Sequence, residues 1–170
     1  TKTVRIGLVG KYVELPDAYK SINESLFQAA TYNDRKLDLQ YIHSEKLNSG
    51  NVDAMLSSLD GVLIAPGFGQ RGIEGKFIAL KYAREHDIPT FGVCLGMQCM
   101  VIEYARDVLG YTDANSTEMD VTTKHNVIDL MEEQKSITNM GGTMRLGAYD
   151  CILAEDSILS LIHISEPTRR

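Results

Sequence analysis

The sequence of 170 residues has no tryptophan, four prolines and only three cysteines. Three cysteines form no disulfide framework, and an odd count favours a reducing compartment over a secreted scaffold. No apolar run approaches the ~20 residues that a membrane-spanning helix requires, and the N-terminus shows no charged-then-apolar signal pattern. We therefore expect a cytoplasmic protein with no membrane partner.

The chain also has little positive charge. Its 23 acidic residues outnumber 17 basic ones, which gives a net charge of -6 and argues against a nucleic-acid partner. The apolar fraction of 44% and the ordinary glycine content are typical of a globular chain rather than a disordered one.

Short apolar runs alternate with amphipathic stretches along the first two-thirds of the chain. This alternation is typical of βα units built around a mainly parallel sheet. The predicted strands are 4–9, 37–42, 61–65 and 90–93, and the predicted helices are 16–32, a helix from Ile73, and 95–109, which Gly110 ends. Residues 143–153 are predicted to be β-structure, with Gly141-Gly142 as the preceding turn.

The most informative segment is Gly92-x-Cys94-x-Gly96, between a predicted strand and a predicted helix. This is the pattern of a nucleophile elbow, with cysteine where many hydrolases have serine. The helix N-terminus favours a thiolate, and its free amides can bind a developing oxyanion. The pattern predicts acyl transfer through a cysteine thioester, but a buried cysteine in a tight βα turn has the same short pattern.

The continuation Leu95-Gly96-Met97-Gln98 makes the segment resemble the nucleophile motif of the class I (triad) glutamine amidotransferases. The resemblance runs from about residue 4 to about residue 158 and narrows to the glutaminase domain of the CTP synthase family. Four segments carry it, in the family's order: residues 11–21 (KYVELPDAYKS), 67–76 (GFGQRGIEGK), 113–118 (DANSTE) and 140–147 (MGGTMRLG). It implies a flavodoxin-like or Rossmann-like three-layer α/β sandwich, here C-terminally incomplete, with the nucleophile at the carboxyl edge of the sheet.

The resemblance assigns the chemistry to the elbow and one loop. Cys94 is the expected nucleophile, and the backbone amides of Leu95 and Gly67 are the expected oxyanion donors. The family's loop often has the sequence Pro-Gly-Gly-Phe-Gly. Here Pro66, which has no N–H, replaces the first glycine, so Gly67 is the expected donor, with Phe68 beside it.

The expected substrate is L-glutamine. The family pattern places its contacts at Gly67, Phe68, Leu95, Gly96, Met97, Gln98 and Glu118. A carboxylate at Glu118 suits the α-ammonium group of glutamine. The assignment of Glu118 follows from the resemblance alone, because the residue would otherwise be an ordinary surface acid.

The family's general base and its orienting acid form a His-x-Glu pair far downstream of the nucleophile, and no such pair follows here. Residues 160–170 do not continue the family pattern, so we expect residues 1–159 to be a partial glutaminase domain and 160–170 a sequencing or frame artefact. His163 and Glu166 have the wrong spacing and receive no role. We therefore expect this chain alone to lack glutaminase turnover.

The resemblance also implies a longer parent enzyme, in which the released ammonia serves the ATP-dependent amination of UTP to CTP. ATP and Mg²⁺ would bind the synthetase domain, which is the expected partner in a homotetramer, and this chain would hold no cofactor or metal. Two alternatives stay open: another class I amidotransferase or γ-glutamyl hydrolase, and a catalytically inactive binding module.

Overall fold

The computed structural model describes residues 2–15, 17–131, 150, 152–157 and 160. Helices and strands alternate through most of this part of the chain. Their order is β1 (Lys2–Gly10), α1 (Lys20–Tyr32), β2 (Arg35–His43), a 3₁₀ turn (Ser44–Lys46), α2 (Val52–Leu56), β3 (Gly61–Ile64), α3 (Ile73–Glu85), β4 (Thr90–Gly92), α4 (Leu95–Asp107), β5 (Asn115–Ser116) and β6 (Asn126–Ile128).

The first four strands form one parallel sheet in the order β2-β1-β3-β4, and β5 and β6 form a separate two-stranded parallel ladder. The order 2-1-3-4 is that of flavodoxin-like folds, so the predicted mainly parallel α/β architecture is confirmed. In such sheets the carboxyl ends of the strands lie at one edge. This edge carries Lys11 after β1, the loop 65–69 after β3 and Cys94 after β4.

Helices cover both faces of the sheet. Neighbouring residues of a strand point to opposite faces, so Leu8 packs in the cluster that includes Tyr19 near α1, whereas Val9 packs in the larger core with α2, α3 and α4. Every residue of β3 is buried, as predicted for a strand covered on both faces.

The predicted start of the first helix at residue 16 was wrong, because α1 begins at Lys20. Turns occupy the preceding residues, in which the Leu15 N–H donates to the Tyr12 carbonyl and the Ala18 N–H donates to the Leu15 carbonyl. Tyr19 is buried, and its hydroxyl accepts a hydrogen bond from the Tyr12 N–H, whereas Ala18 is exposed. The buried side chain of Tyr19 thus packs this segment against the sheet.

The other helix boundaries lie close to the predictions. The last helix, α4, ends at Asp107, two residues before the predicted end. Gly110 has φ 78°, the left-handed conformation predicted for the glycine that ends this helix. The short helix α2 and the strands β5 and β6 were not predicted, because segments of two to five residues carry no usable periodicity.

The chain divides into two compact units, residues 1–129 and 130–170, and the candidate site lies in the first. In the second unit, the Ser157 N–H donates to the Ala154 carbonyl and the Ser160 N–H donates to the Ser157 hydroxyl. The predicted β-structure at 143–153 and the turn at Gly141-Gly142 fall outside the described residues, except for positions 150, 152 and 153. In the described part, no helix is both long and apolar enough to cross a membrane.

Candidate active site

Cys94 forms the turn between β4 and α4, and its side chain is exposed. Its backbone has φ 54° and ψ -113°, a conformation that a residue with a Cβ adopts only under strain. The predicted strand–turn–helix geometry of a nucleophile elbow is therefore confirmed, whereas the role of Cys94 as nucleophile stays a prediction.

The two glycines of the elbow are required by close packing. A Cβ on Gly96 would lie 2.1 Å from the Ile64 carbonyl oxygen, so α4 starts in direct contact with β3. A Cβ on Gly92 would lie 2.5 Å from the Gly96 carbonyl carbon and 2.5 Å from the Met97 nitrogen. Since real Cβ atoms do not approach backbone atoms this closely, the elbow can be built only with glycine at both positions.

The first turn of α4 leaves the amide that directly follows Cys94 without a partner in the described chain. The Gly96 N–H donates to the Val93 carbonyl at 2.8 Å, and the Gln98 N–H donates to the Cys94 carbonyl at 3.1 Å. The Leu95 N–H has no hydrogen-bond acceptor within the described residues. An unpaired amide at a helix N-terminus suits an anion, as expected for an oxyanion donor.

The loop 65–69 supplies further free amides. The Ala65 N–H still pairs with the Val9 carbonyl, at 2.9 Å, but the N–H groups of Gly67 and Phe68 find no acceptor in the described part of the chain. A Cβ on Gly67 would lie 3.8 Å from Cδ2 of Leu95, so this loop packs against the first residue of α4. The structure thus brings the loop and the elbow together.

Two buried lysines hydrogen-bond to backbone carbonyls of this loop, and the sequence analysis missed both. Nζ of Lys11 donates to the Phe68 carbonyl, and Nζ of Lys76 donates to the Ala65 carbonyl at 2.7 Å. Burial is the main cause that lowers the pKa of Lys76. The Cys99 thiol opposes this effect electrostatically, Lys11 adds to it, and the Cys94 thiol opposes it. For Lys76, the signal that the sequence analysis overlooked was a charged residue on the otherwise apolar face of α3.

Cys99 differs sharply from Cys94, although both lie at the start of the same helix. It is fully buried, and that burial raises the pKa of its thiol to about 11, against the opposing charges of Lys76 and Arg106. A protonated, inaccessible thiol is inert, so Cys99 is a structural residue of the core. Cys151 lies outside the described residues.

Glu118, the predicted ammonium partner, is exposed in the turn after β5, where its N–H donates to the Ser116 hydroxyl at 3.2 Å. The next residue, Met119, accepts a hydrogen bond from the side-chain amide of Gln70, which follows the loop 65–69. This bond ties the segment of Glu118 to the loop. No hydrogen bond or ion pair joins Glu118 to Cys94 in the described residues.

The remaining predicted glutamine contacts follow Cys94 on α4. Gly96 is buried beneath the elbow, Met97 is exposed and Gln98 is partly buried. The side chains of Met97 and Gln98 are therefore accessible to a ligand, whereas Gly96 is buried and allows the close packing of the elbow.

The histidines of the described residues hydrogen-bond to groups other than Cys94. His43 accepts from the Glu45 N–H, and the His86 ring contacts the Tyr82 carbonyl. His125 bonds to Asp113 at 2.6 Å, which lowers the pKa of that carboxyl group. Within the described chain no cluster of His, Cys, Asp or Glu could hold a metal ion.

Comparison with known proteins gives one consistent family. Residues 14–166 match the family model for glutamine amidotransferase class-I. The CTP synthase of Bacteroides fragilis is 72% identical over 157 residues, which are 92% of this chain and 30% of that protein. The CTP synthase of Porphyromonas gingivalis is 64% identical over 168 residues, which are 99% of this chain and 31% of that protein. This chain therefore spans about 30% of the length of these curated relatives.

A solved structure, the glutaminase domain of Trypanosoma brucei CTPS with bound acivicin, shares the fold. It superposes with a TM-score of 0.72 at 40% identity and covers 78% of this chain and 52% of that one. The expected resemblance and the α/β fold of the class are both confirmed. The chain belongs to the class I glutamine amidotransferase family and corresponds to the glutaminase region of CTP synthases.

Proposed function

We propose that this chain is the glutaminase part of a CTP synthase, in which Cys94 attacks the side-chain amide of L-glutamine. The observation that carries the proposal is the elbow itself. An exposed cysteine in a strained turn directly precedes the unpaired amide of Leu95, and the loop that contains Gly67 packs against Leu95. That arrangement is the one an acyl-transfer reaction needs.

In the proposed reaction, the thiolate of Cys94 attacks the side-chain carbonyl carbon of glutamine, and the carbonyl oxygen becomes an oxyanion. The amides of Leu95 and Gly67 donate hydrogen bonds to that oxygen. The C–N bond then breaks, and the leaving nitrogen takes a proton and departs as ammonia. Water hydrolyses the remaining γ-glutamyl thioester to glutamate and restores the thiol.

Recognition of the α-amino acid end falls to Glu118, Phe68, Gly96, Met97 and Gln98 in this proposal. An exposed carboxylate at Glu118 is free to accept hydrogen bonds from the α-ammonium group. The hydrogen bond between Gln70 and Met119 supports this role, because it holds the segment of Glu118 beside the loop.

The proposal for the longer protein follows from its relatives. The ammonia would serve ATP-dependent conversion of UTP to CTP at a synthetase domain, where ATP and Mg²⁺ would act, in a cytoplasmic homotetramer. A histidine base would be needed for repeated turnover. The described histidines hydrogen-bond to groups other than Cys94, so none of them is placed in the described chain to act as this base.

Covalent labelling tests the proposal. The chain is incubated with acivicin, and the modified residue is identified by peptide mass spectrometry. We expect labelling of Cys94 that L-glutamine slows and D-glutamine does not. Cys94→Ala is the matched control and should take no label at this peptide.

Two outcomes would count against the proposal. Labelling that L-glutamine does not slow would show a reactive thiol without a glutamine site. Binding of L-glutamine with no labelling of Cys94 would favour a binding module. Steady ammonia release that disappears in Cys94→Ala would support the proposed chemistry and would contradict only the expected lack of turnover.

A further inference from the structure

A cavity of about 440 Å³ lies between the start of α3 and residues 114–120, which we call the Glu118 segment. Gln70 lines one side of this cavity, and Asn115 and Met119 line the other. Because open space borders the segment here, packing alone does not fix its distance from the loop 65–69. Side chains that bridge this space are therefore of interest.

Arg106 of α4 binds one end of the Glu118 segment. Its Nε–H donates to the Ala114 carbonyl at 2.6 Å. The guanidinium carbon lies 4.6 Å from the centre of the Phe77 ring, so stacking between α3 and α4 restrains the side chain. Since α4 begins directly after Cys94, Arg106 links this end of the segment to the helix of the elbow.

Gln70 binds the other end of the segment. Its side-chain amide N–H donates to the Met119 carbonyl, which as a carbonyl can only accept. Gly69 and Gly72, with φ of 70° and 75°, turn the chain on either side of Gln70. Gln70 therefore links the segment to the loop that contains Gly67.

Glu118 lies between the two anchored carbonyls, four residues after Ala114 and one before Met119. In the described chain, the other hydrogen bonds of the segment stay within residues 111–129. The position of the Glu118 carboxylate relative to the elbow therefore depends on these two bonds, together with the buried side chain of Met119.

Stability gives little reason for the bond from Gln70. The residue is exposed, so water can replace the bond and its net contribution to folding is small. Its effect on the place of Glu118 is direct, because a binding group acts only when the residues around it hold it in position.

We propose that Gln70 and Arg106 are positioning residues for substrate recognition: they anchor the backbone carbonyls on either side of Glu118 and so set its carboxylate against the elbow and the loop 65–69. This rests on the proposed function, in which Glu118 binds the α-ammonium group of glutamine. Neither residue touches the substrate, and both act through the Glu118 segment.

The rate of Cys94 labelling, measured across a range of acivicin concentrations, tests the proposal in the full chain. It separates the concentration that gives half the maximal rate, KI, from the maximal rate itself. The variants are Gln70→Met and Arg106→Met, each of which removes the donor and keeps an unbranched side chain. Gln28→Met, which replaces an exposed glutamine of α1, is the matched control. Iodoacetamide, which has no α-amino acid group, reports on the thiol alone.

We expect KI to rise about fivefold in Gln70→Met and about tenfold in Arg106→Met, as for loss of one neutral and one charged hydrogen bond. The maximal rate and the iodoacetamide rate should change by less than about twofold, because the nucleophile is untouched. Gln28→Met should match the parent chain in all three values.

An unchanged KI in both variants overturns the proposal, and it leaves the proposed function intact if L-glutamine still slows labelling of the parent chain. A lower Tm with an unchanged KI overturns it as well, because it would show a purely structural role. Equal slowing by acivicin and iodoacetamide would place the effect at the thiol and would also contradict the proposal.

Gln70 is exposed, so Gln70→Met alone decides the proposal if Arg106→Met does not fold. A parent chain that acivicin does not label overturns the proposed function, and this proposal with it.

Discussion

The two halves of the candidate site are built differently. The elbow, residues 92–98, follows a strand of the main sheet and contacts β3 through backbone atoms of Gly96 and Ile64. The segment that carries Glu118 follows a strand of two residues in a separate ladder, and its acid is exposed. The elbow is therefore held by backbone packing against the main sheet. The Glu118 segment is held by hydrogen bonds and by the burial of Ser116 and Met119, and it leaves its acid exposed.

The difference matches a division of tasks. Attack by a thiolate requires a fixed angle between the nucleophile and the oxyanion amides, which dense packing provides. Recognition of an α-ammonium group requires a carboxylate that a ligand can reach, which an exposed turn provides. Substitutions in the elbow should change both stability and reactivity, whereas substitutions at Glu118 should change recognition alone.

The largest expected effect comes from Gly96→Ala. The added methyl group would lie 2.1 Å from the Ile64 carbonyl oxygen, so β3 and α4 must separate. We expect the free energy of unfolding to fall by about 3 kcal/mol or more, measured by urea denaturation. Gly110→Ala is the control at the other end of α4, where φ is 78° but nothing lies within 4 Å, and should cost only about 1 kcal/mol. Equal losses would contradict the packing account of the elbow.

A smaller effect should appear at alkaline pH. In the folded chain, burial raises the pKa of Cys99 to about 11 from an ordinary value of 9.0. A raised folded-state pKa means that the contribution to stability is complete below pH 9.0 and is lost as pH rises toward about 11. We expect the stability of the parent chain, relative to Cys99→Ala, to fall by about 2 kcal/mol across this window. A constant difference between the two chains would show that Cys99 is accessible to water.

The smallest effect concerns the strain at Cys94. Its φ of 54° suits glycine, so Cys94→Gly should be more stable than Cys94→Ala by about 1 kcal/mol, measured by thermal unfolding. Both variants lack the thiol, so the comparison isolates the backbone. If alanine proves as stable as glycine here, the elbow relaxes without the thiol and is less rigid than its packing indicates.

The local sequence was sufficient to predict the elbow half of the site. The pattern Gly92-x-Cys94-x-Gly96 after an apolar run predicts a strained turn before a helix, and the structure has that turn. Buried strands such as β3 were predictable because an unbroken apolar run favours a strand covered on both faces.

Features that depend on tertiary contacts were not predictable in this way. Lys76 lies on the apolar side of α3, and only the folded loop shows that its ammonium group has the Ala65 carbonyl as partner. The burial of Tyr19 beside the exposed Ala18 likewise depends on contacts that only the folded chain shows. Glu118 was found through family resemblance, since an exposed acid in a turn has no distinguishing local pattern.

The most direct test of the division of tasks measures two labelling rates at Cys94 in the parent chain and in Glu118→Gln. One rate is with acivicin, which resembles glutamine, and the other is with iodoacetamide, which does not. We expect Glu118→Gln to slow acivicin labelling about tenfold, as for loss of one charged hydrogen bond, and to leave the iodoacetamide rate unchanged. Equal slowing of both reactions, or of neither, would contradict the account.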